Sequence, residues 1–122
     1  MADRQKVIVL EDDAIFGNLL AEMLGDYYDV ETGSNGLQGI AMCLEGGVAA
    51  VVTDIVMPDL DGMQMLLEFR KNPLLVSIPV FIVSTTDFSA EARMFPQVRG
   101  TFLKNENAGV IVDAVRKTLQ GG

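Results

Sequence analysis

Ala49-Ala50-Val51-Val52-Thr53-Asp54-Ile55-Val56-Met57-Pro58-Asp59-Leu60-Asp61-Gly62 opens with four apolar residues in a row and passes at once into an acid and a proline turn. An apolar run without polar alternation suits a strand covered on both faces, as in a parallel sheet. Pro58 to Gly62 then reads as a turn leading into a helix. Working outward, the same strand pattern recurs at Val7-Ile8-Val9-Leu10 and Val80-Phe81-Ile82-Val83, and more weakly at Thr101-Phe102-Leu103. Asp29-Val30-Glu31-Thr32 is mixed, which suits an edge strand. Helices are predicted between them. Residues 14–27 place Ile15, Leu19, Met23 and Leu20, Leu24 along one side, with Asp13 as N-cap. Residues 37–44 form a second helix, and 61–71 a third that stops before Pro73. Residues 108–119 form the last, with Ile111, Val115, Thr118 and Leu119 inward and Arg116 and Lys117 near the end where cations are favoured. Residues 89–95 allow barely two turns before Pro96. Five β-α units predict an α/β fold with a doubly wound parallel sheet and helices on both faces. In such sheets chemistry gathers outside the C-terminal strand ends.

Composition narrows the function. The 122 residues amount to one domain, 49% hydrophobic, large enough to bury a core without staples. Nine Lys and Arg against 17 Asp and Glu give a net charge of −8. That sign argues against direct binding to nucleic acid or anionic membrane. Cys43 is the single cysteine, so there is neither an intramolecular disulfide nor a paired-thiol zinc site; it reads as a core residue. With no histidine, His-assisted catalysis and phosphoryl storage on an own imidazole are excluded. The longest apolar stretches are five residues, far short of a bilayer span, and the N-terminus lacks a signal-peptide core. A cytoplasmic location is expected.

Acid, hydroxyl and amine fall at four strand ends. Glu11-Asp12-Asp13 follows the first strand, Asp54 the third, Ser84-Thr85-Thr86 the fourth and Lys104 the fifth. Each has an ordinary reading by itself: a capping cluster, a turn aspartate, a loop serine, a solvated lysine. Jointly they would converge on one crevice if strands one, three, four and five are neighbours. Clustered carboxylates repel one another and call for a hard cation, and Mg²⁺ suits oxygen ligands shared with a phosphate. A lysine and a hydroxyl would then face a bound anion, with Asp54 able to act as nucleophile.

These residues resemble the receiver domain of two-component response regulators over nearly the whole chain. Glu11 and Asp12 match the acidic pair, Asp54 the phosphoacceptor, and Met57-Pro58-Asp59-Leu60-Asp61-Gly62 the loop that follows it. Ser84 matches the switch hydroxyl and Lys104 the phosphate-stabilising lysine. The resemblance implies a flavodoxin-like sheet of order 2-1-3-4-5. It also implies Mg²⁺ held by Glu11, Asp12, Asp54 and the backbone carbonyl of Val56. A histidine kinase or histidine phosphotransfer protein would supply the phosphoryl group, and a downstream protein would read the fourth helix, fifth strand and fifth helix. A stand-alone, single-domain phosphoacceptor switch over residues 1–122 is the expectation. The alternatives are a pseudo-receiver that binds without being phosphorylated and an aspartate-nucleophile phosphatase; the second would need a cap for which the chain has no room.

The second half departs from that pattern. Asn105 stands where a proline usually follows the lysine, which predicts a trans Lys104–Asn105 bond. Thr101 occupies the place of an aromatic switch, and Phe102 should face the other side of its strand. The Ser84–Lys104 interval is about two residues short, so the fourth helix is expected to be abbreviated. Val56 and Thr86, which flank the reactive groups, are neither acidic nor amide, so slow self-dephosphorylation is expected. Tyr27-Tyr28 is read as closing the first helix, and Met63 and Met65 as flanking the apolar side of the third.

Overall fold

The structure of the chain, a computed structural model, describes residues 4–120. Its elements alternate strictly: β1 (Lys6–Leu10), α1 (Ala14–Leu24), β2 (Asp29–Gly33), α2 (Gly36–Leu44), β3 (Val48–Thr53), α3 (Gly62–Arg70), β4 (Val80–Ser84), α4 (Ser89–Ala92), β5 (Val98–Leu103) and α5 (Ala108–Leu119). All strands pair in parallel in the order β2-β1-β3-β4-β5, the flavodoxin-like arrangement expected, with the mixed β2 at one edge. No helix of the described residues is long and apolar enough to cross a membrane.

Strand alternation sorts the apolar residues into two layers. Val7, Val9, Ala50, Val52, Phe81 and Val83 face α1 and α5, where Leu20, Leu24, Ile111 and Val115 close the layer. Ile8, Leu10, Val51, Val80 and Ile82 face the other side and meet Met65, Leu66 and Phe69 of α3, Cys43 of α2 and Ala92 of α4. The continuous apolar runs follow from this, because consecutive residues must each enter a core. Phe102 packs in the α1–α5 layer, on the side opposite Thr101, as alternation requires. Its ring occupies the space over Gly100, where a Cβ would stand 2.9 Å from Cε2.

The helices differ from expectation chiefly in α1 and α4. α1 ends at Leu24 rather than 27, with Gly25 as C-cap, and Tyr27 and Tyr28 lie in the turn beyond it. Tyr28 is buried, and the Arg116 guanidinium lies 3.8 Å from the Tyr27 ring centroid. The inward stripe of α1 is Gly17, Leu20 and Leu24, while Ile15 is 85% and Leu19 46% exposed. In α5, Ile111, Val112 and Val115 are buried, and Thr118 and Leu119 are half-buried. α4 is a single turn of four residues, shorter than the abbreviated helix expected. Beyond it in the chain, the buried Gln97 side chain donates from Nε2 to the carbonyls of Leu75 (3.2 Å) and Ile78 (2.9 Å). This ties the start of β5 to the connection between α3 and β4.

Candidate functional site

The sheet register brings the strand ends level. Leu10 pairs with both Gly33 and Thr53, Thr53 with Ile82, and Ser84 with Leu103. The ladder then runs one residue further: the N–H of Glu11 donates to Gly33 O, that of Asp54 to Leu10 O and that of Lys104 to Ser84 O, each at 2.9 Å. The backbones of three site residues are thereby fixed by strands on which they do not themselves lie.

The acidic run after β1 divides its work. Asp13 is the α1 N-cap, its Oδ1 accepting from the N–H groups of Ile15 (3.0 Å) and Phe16 (3.4 Å). Glu11 and Asp12 turn instead toward Asp54, and ligand oxygens of these three residues lie within 4.8 Å of one another. Glu11 and Asp54 are buried and Asp12 is exposed. Such an all-oxygen set fits a hard divalent cation that keeps part of its water shell.

Lys104 crosses the crevice. Its Nζ is 2.8 Å from Asp54 Oδ2 and 2.8 Å from Glu11 Oε1. No peptide bond among the described residues is cis, so Lys104–Asn105 is trans, and the lysine still reaches both acids. Burial lowers the lysine's pKa, but hydrogen bonds to Asp54 and Glu11 outweigh it and hold the ammonium above its usual value. Burial likewise raises the Glu11 carboxyl, to about 7, against the opposing pull of Lys104 and the Asp13 N–H. Lys104 therefore neutralises charge that the crevice would otherwise hold unpaired.

Asp54 is held from both sides. Its Oδ1 accepts from the Ile55 N–H at 2.6 Å, while Oδ2 takes Lys104. The Thr53 hydroxyl donates to the Asp54 carbonyl at 2.7 Å, and the loop beyond returns so closely that a Cβ on Gly62 would stand 2.5 Å from that carbonyl oxygen. Val56 lies in this loop and is 64% exposed. Ser84 is buried at the end of β4, and its Oγ accepts from the Thr86 N–H at 3.4 Å, a contact within its own loop. The structure thus places Glu11, Asp54 and Lys104 in direct contact and Asp12 beside them, with Ser84 at the end of β4 and Val56 on the loop after β3.

Two contributions were missed in the sequence. Asn35 caps α2 and donates from Nδ2 to Asp59 Oδ2 at 3.3 Å, bracing the Asp54 loop at a residue whose φ is +66°. The Asn35-Gly36 pair ahead of an apolar run was the available signal. Phe16 stands beside Lys104, its ring centroid 5.4 Å from Nζ.

By its architecture the molecule is a flavodoxin-like α/β protein whose acidic crevice opens at the carboxyl ends of the central strands. Comparison with known proteins narrows the class: the family model described as the response regulator receiver domain matches residues 7–116, and the chain belongs to that family. Receiver domains are the phosphoacceptor modules of two-component systems. The chain is 31% identical over 78 residues to hybrid signal transduction histidine kinase D of Dictyostelium discoideum, a match covering 64% of this chain and 5% of that protein. It is 26% identical over 83 residues to response regulator PleD of Caulobacter vibrioides, covering 67% and 18% respectively. It therefore spans a small part of these relatives' length. Among solved structures, a CheY-like receiver domain protein from Methanospirillum hungatei JF-1 superposes with a TM-score of 0.84 at 19% identity, covering 98% of this chain and 96% of that one. The receiver domain of sensor histidine kinase PA1611 from Pseudomonas aeruginosa PAO1, solved with magnesium in its active-site cleft, gives a TM-score of 0.79 at 16% identity, covering 96% and 98%. At these identities the likeness is one of fold.

Proposed function

We propose that the chain is a working phosphoacceptor switch: Asp54 takes a phosphoryl group, and the resulting change is passed on by protein–protein contact. The observation that carries this reading is the reach of Lys104 to Asp54 and Glu11 across a crevice floored by three acids. In the transfer, an Asp54 carboxylate oxygen forms a P–O bond as the P–N bond of a donor phosphohistidine breaks, its electron pair leaving on the imidazole nitrogen; with acetyl phosphate the leaving group is acetate. Lys104 carries positive charge to the phosphoryl oxygens, and the Ile55 N–H holds the other Asp54 oxygen in place. Glu11, Asp12, Asp54 and the Val56 carbonyl would hold Mg²⁺, which supplies charge neutralisation. The donor is a histidine kinase or histidine phosphotransfer protein, and the readout surface lies along α4, β5 and α5. The domain turns over its own phosphate without acting as an enzyme on other substrates.

Intact-protein mass after incubation with Mg²⁺ and acetyl phosphate tests this, with Asp54→Asn alongside. A gain of one phosphoryl group that needs both Mg²⁺ and Asp54 is expected. If neither acetyl phosphate nor a phosphorylated kinase loads Asp54, the chain is a binding module instead. The side chain of Val56 orients no water, so the phosphoprotein should decay slowly, and Val56→Asn should hasten decay severalfold. Equal decay rates in the two proteins would refute that role.

A further inference from the structure

We propose that Phe16 is a positioning residue for Lys104, its ring face retaining the ammonium over Asp54 when the carboxylates turn to other partners. This rests on the phosphoacceptor reading above. Three groups surround Lys104 Nζ: Glu11 Oε1 and Asp54 Oδ2 at 2.8 Å, and the Phe16 ring centroid at 5.4 Å. The two carboxylates belong to the same cluster as Asp12, so a divalent cation in that cluster draws on the same two groups that now hold the lysine. Asp54 is also the group to be consumed, since its oxygen becomes part of an ester. The ring competes for neither role. It is neutral, and its face attracts a cation within about 6 Å, more strongly where water is kept away. The Lys104 side chain is only 15% exposed.

The ring's position is itself fixed. Phe16 lies in the first turn of α1, where its N–H is bound by the Asp13 cap, and its side chain packs against the α1–α5 layer. Lys104, by contrast, is a four-carbon stem leaving the end of a strand, followed by an ordinary trans bond to Asn105. A flexible cation opposite a rigid ring face has its swing limited on that side.

The test compares Phe16→Leu, which keeps apolar bulk and removes the ring, with Phe16→Tyr, which keeps the ring. In the metal-free protein, NMR should show the Lys104 Cε protons shifted upfield in wild type and Phe16→Tyr and returned toward ordinary values in Phe16→Leu. With Mg²⁺ and saturating acetyl phosphate, Phe16→Leu should load Asp54 roughly threefold to tenfold more slowly, with half-saturation by the donor little changed, and Phe16→Tyr should restore the rate. Loading of Phe16→Leu at the wild-type rate, equal slowing in Phe16→Tyr, or unmoved Lys104 resonances would overturn the inference alone. A wild-type chain that acquires no phosphoryl group overturns the phosphoacceptor reading and this role with it.

Discussion

Cys43 and Glu11 both lose water on folding, and both are pushed toward their protonated forms, but only Glu11 has charged company at hydrogen-bond distance. The Cys43 thiol, buried among α2 and α3, is raised to about 12 by burial, with a weak opposing pull from Lys6. At pH 8 its thiolate fraction is roughly a thousandfold below that of an unfolded thiol, so a disulfide reagent should label the native protein at least that much more slowly than the urea-unfolded chain. The pH dependence has a definite sign. The native state favours the protonated thiol, so its contribution is full below about pH 9 and is lost as pH rises from there toward 12. Chemical unfolding between pH 8 and 10.5 should show this loss, and Cys43→Ala should lessen it.

Elements owe their exact starts to single side chains. At α3, Asp61 Oδ1 accepts from the Gln64 N–H at 2.8 Å, and Gln64 Oε1 accepts from the Asp61 N–H at 2.9 Å. This reciprocal cap fixes the helix that follows the Asp54 loop. Asp61→Ala should cost about 1 kcal/mol, read as a lower urea midpoint at unchanged slope. The strands were legible because their residues fill both layers in turn. The site was legible because β1, β3, β4 and β5 end level, so residues remote in the chain fall at equivalent positions. The inner face of α1 was not. Ile15 and Leu19 have the spacing of core residues yet face outward, whereas Gly17, invisible to an apolar pattern, sits where a Cβ would stand 3.2 Å from Glu11 Cβ. Its end was overread because Tyr27 and Tyr28 continue the apolar content past Gly25. Nor could the aim of Lys104 be read, since a trans bond after it leaves several directions open and only the packed crevice selects one.

On the scale of the whole molecule, the excess of eight negative charges includes a crevice that gathers three acids, two more than its one lysine can balance. A divalent cation that binds the folded crevice and not the unfolded chain must stabilise the fold by mass action, by about 2.7 kcal/mol at a hundred times its dissociation constant. Thermal unfolding should shift upward with added Mg²⁺, return with chelator, and respond less in Asp12→Asn. A shift of equal size in that variant would place the ion elsewhere.

The Gln97 amide also bears on how motion would spread. It pins the root of β5 to the α3–β4 connection through two carbonyls, while α4, with four residues, is only one turn long. A displacement begun at Ser84 should therefore stay at the rim of the crevice and not pass Gln97.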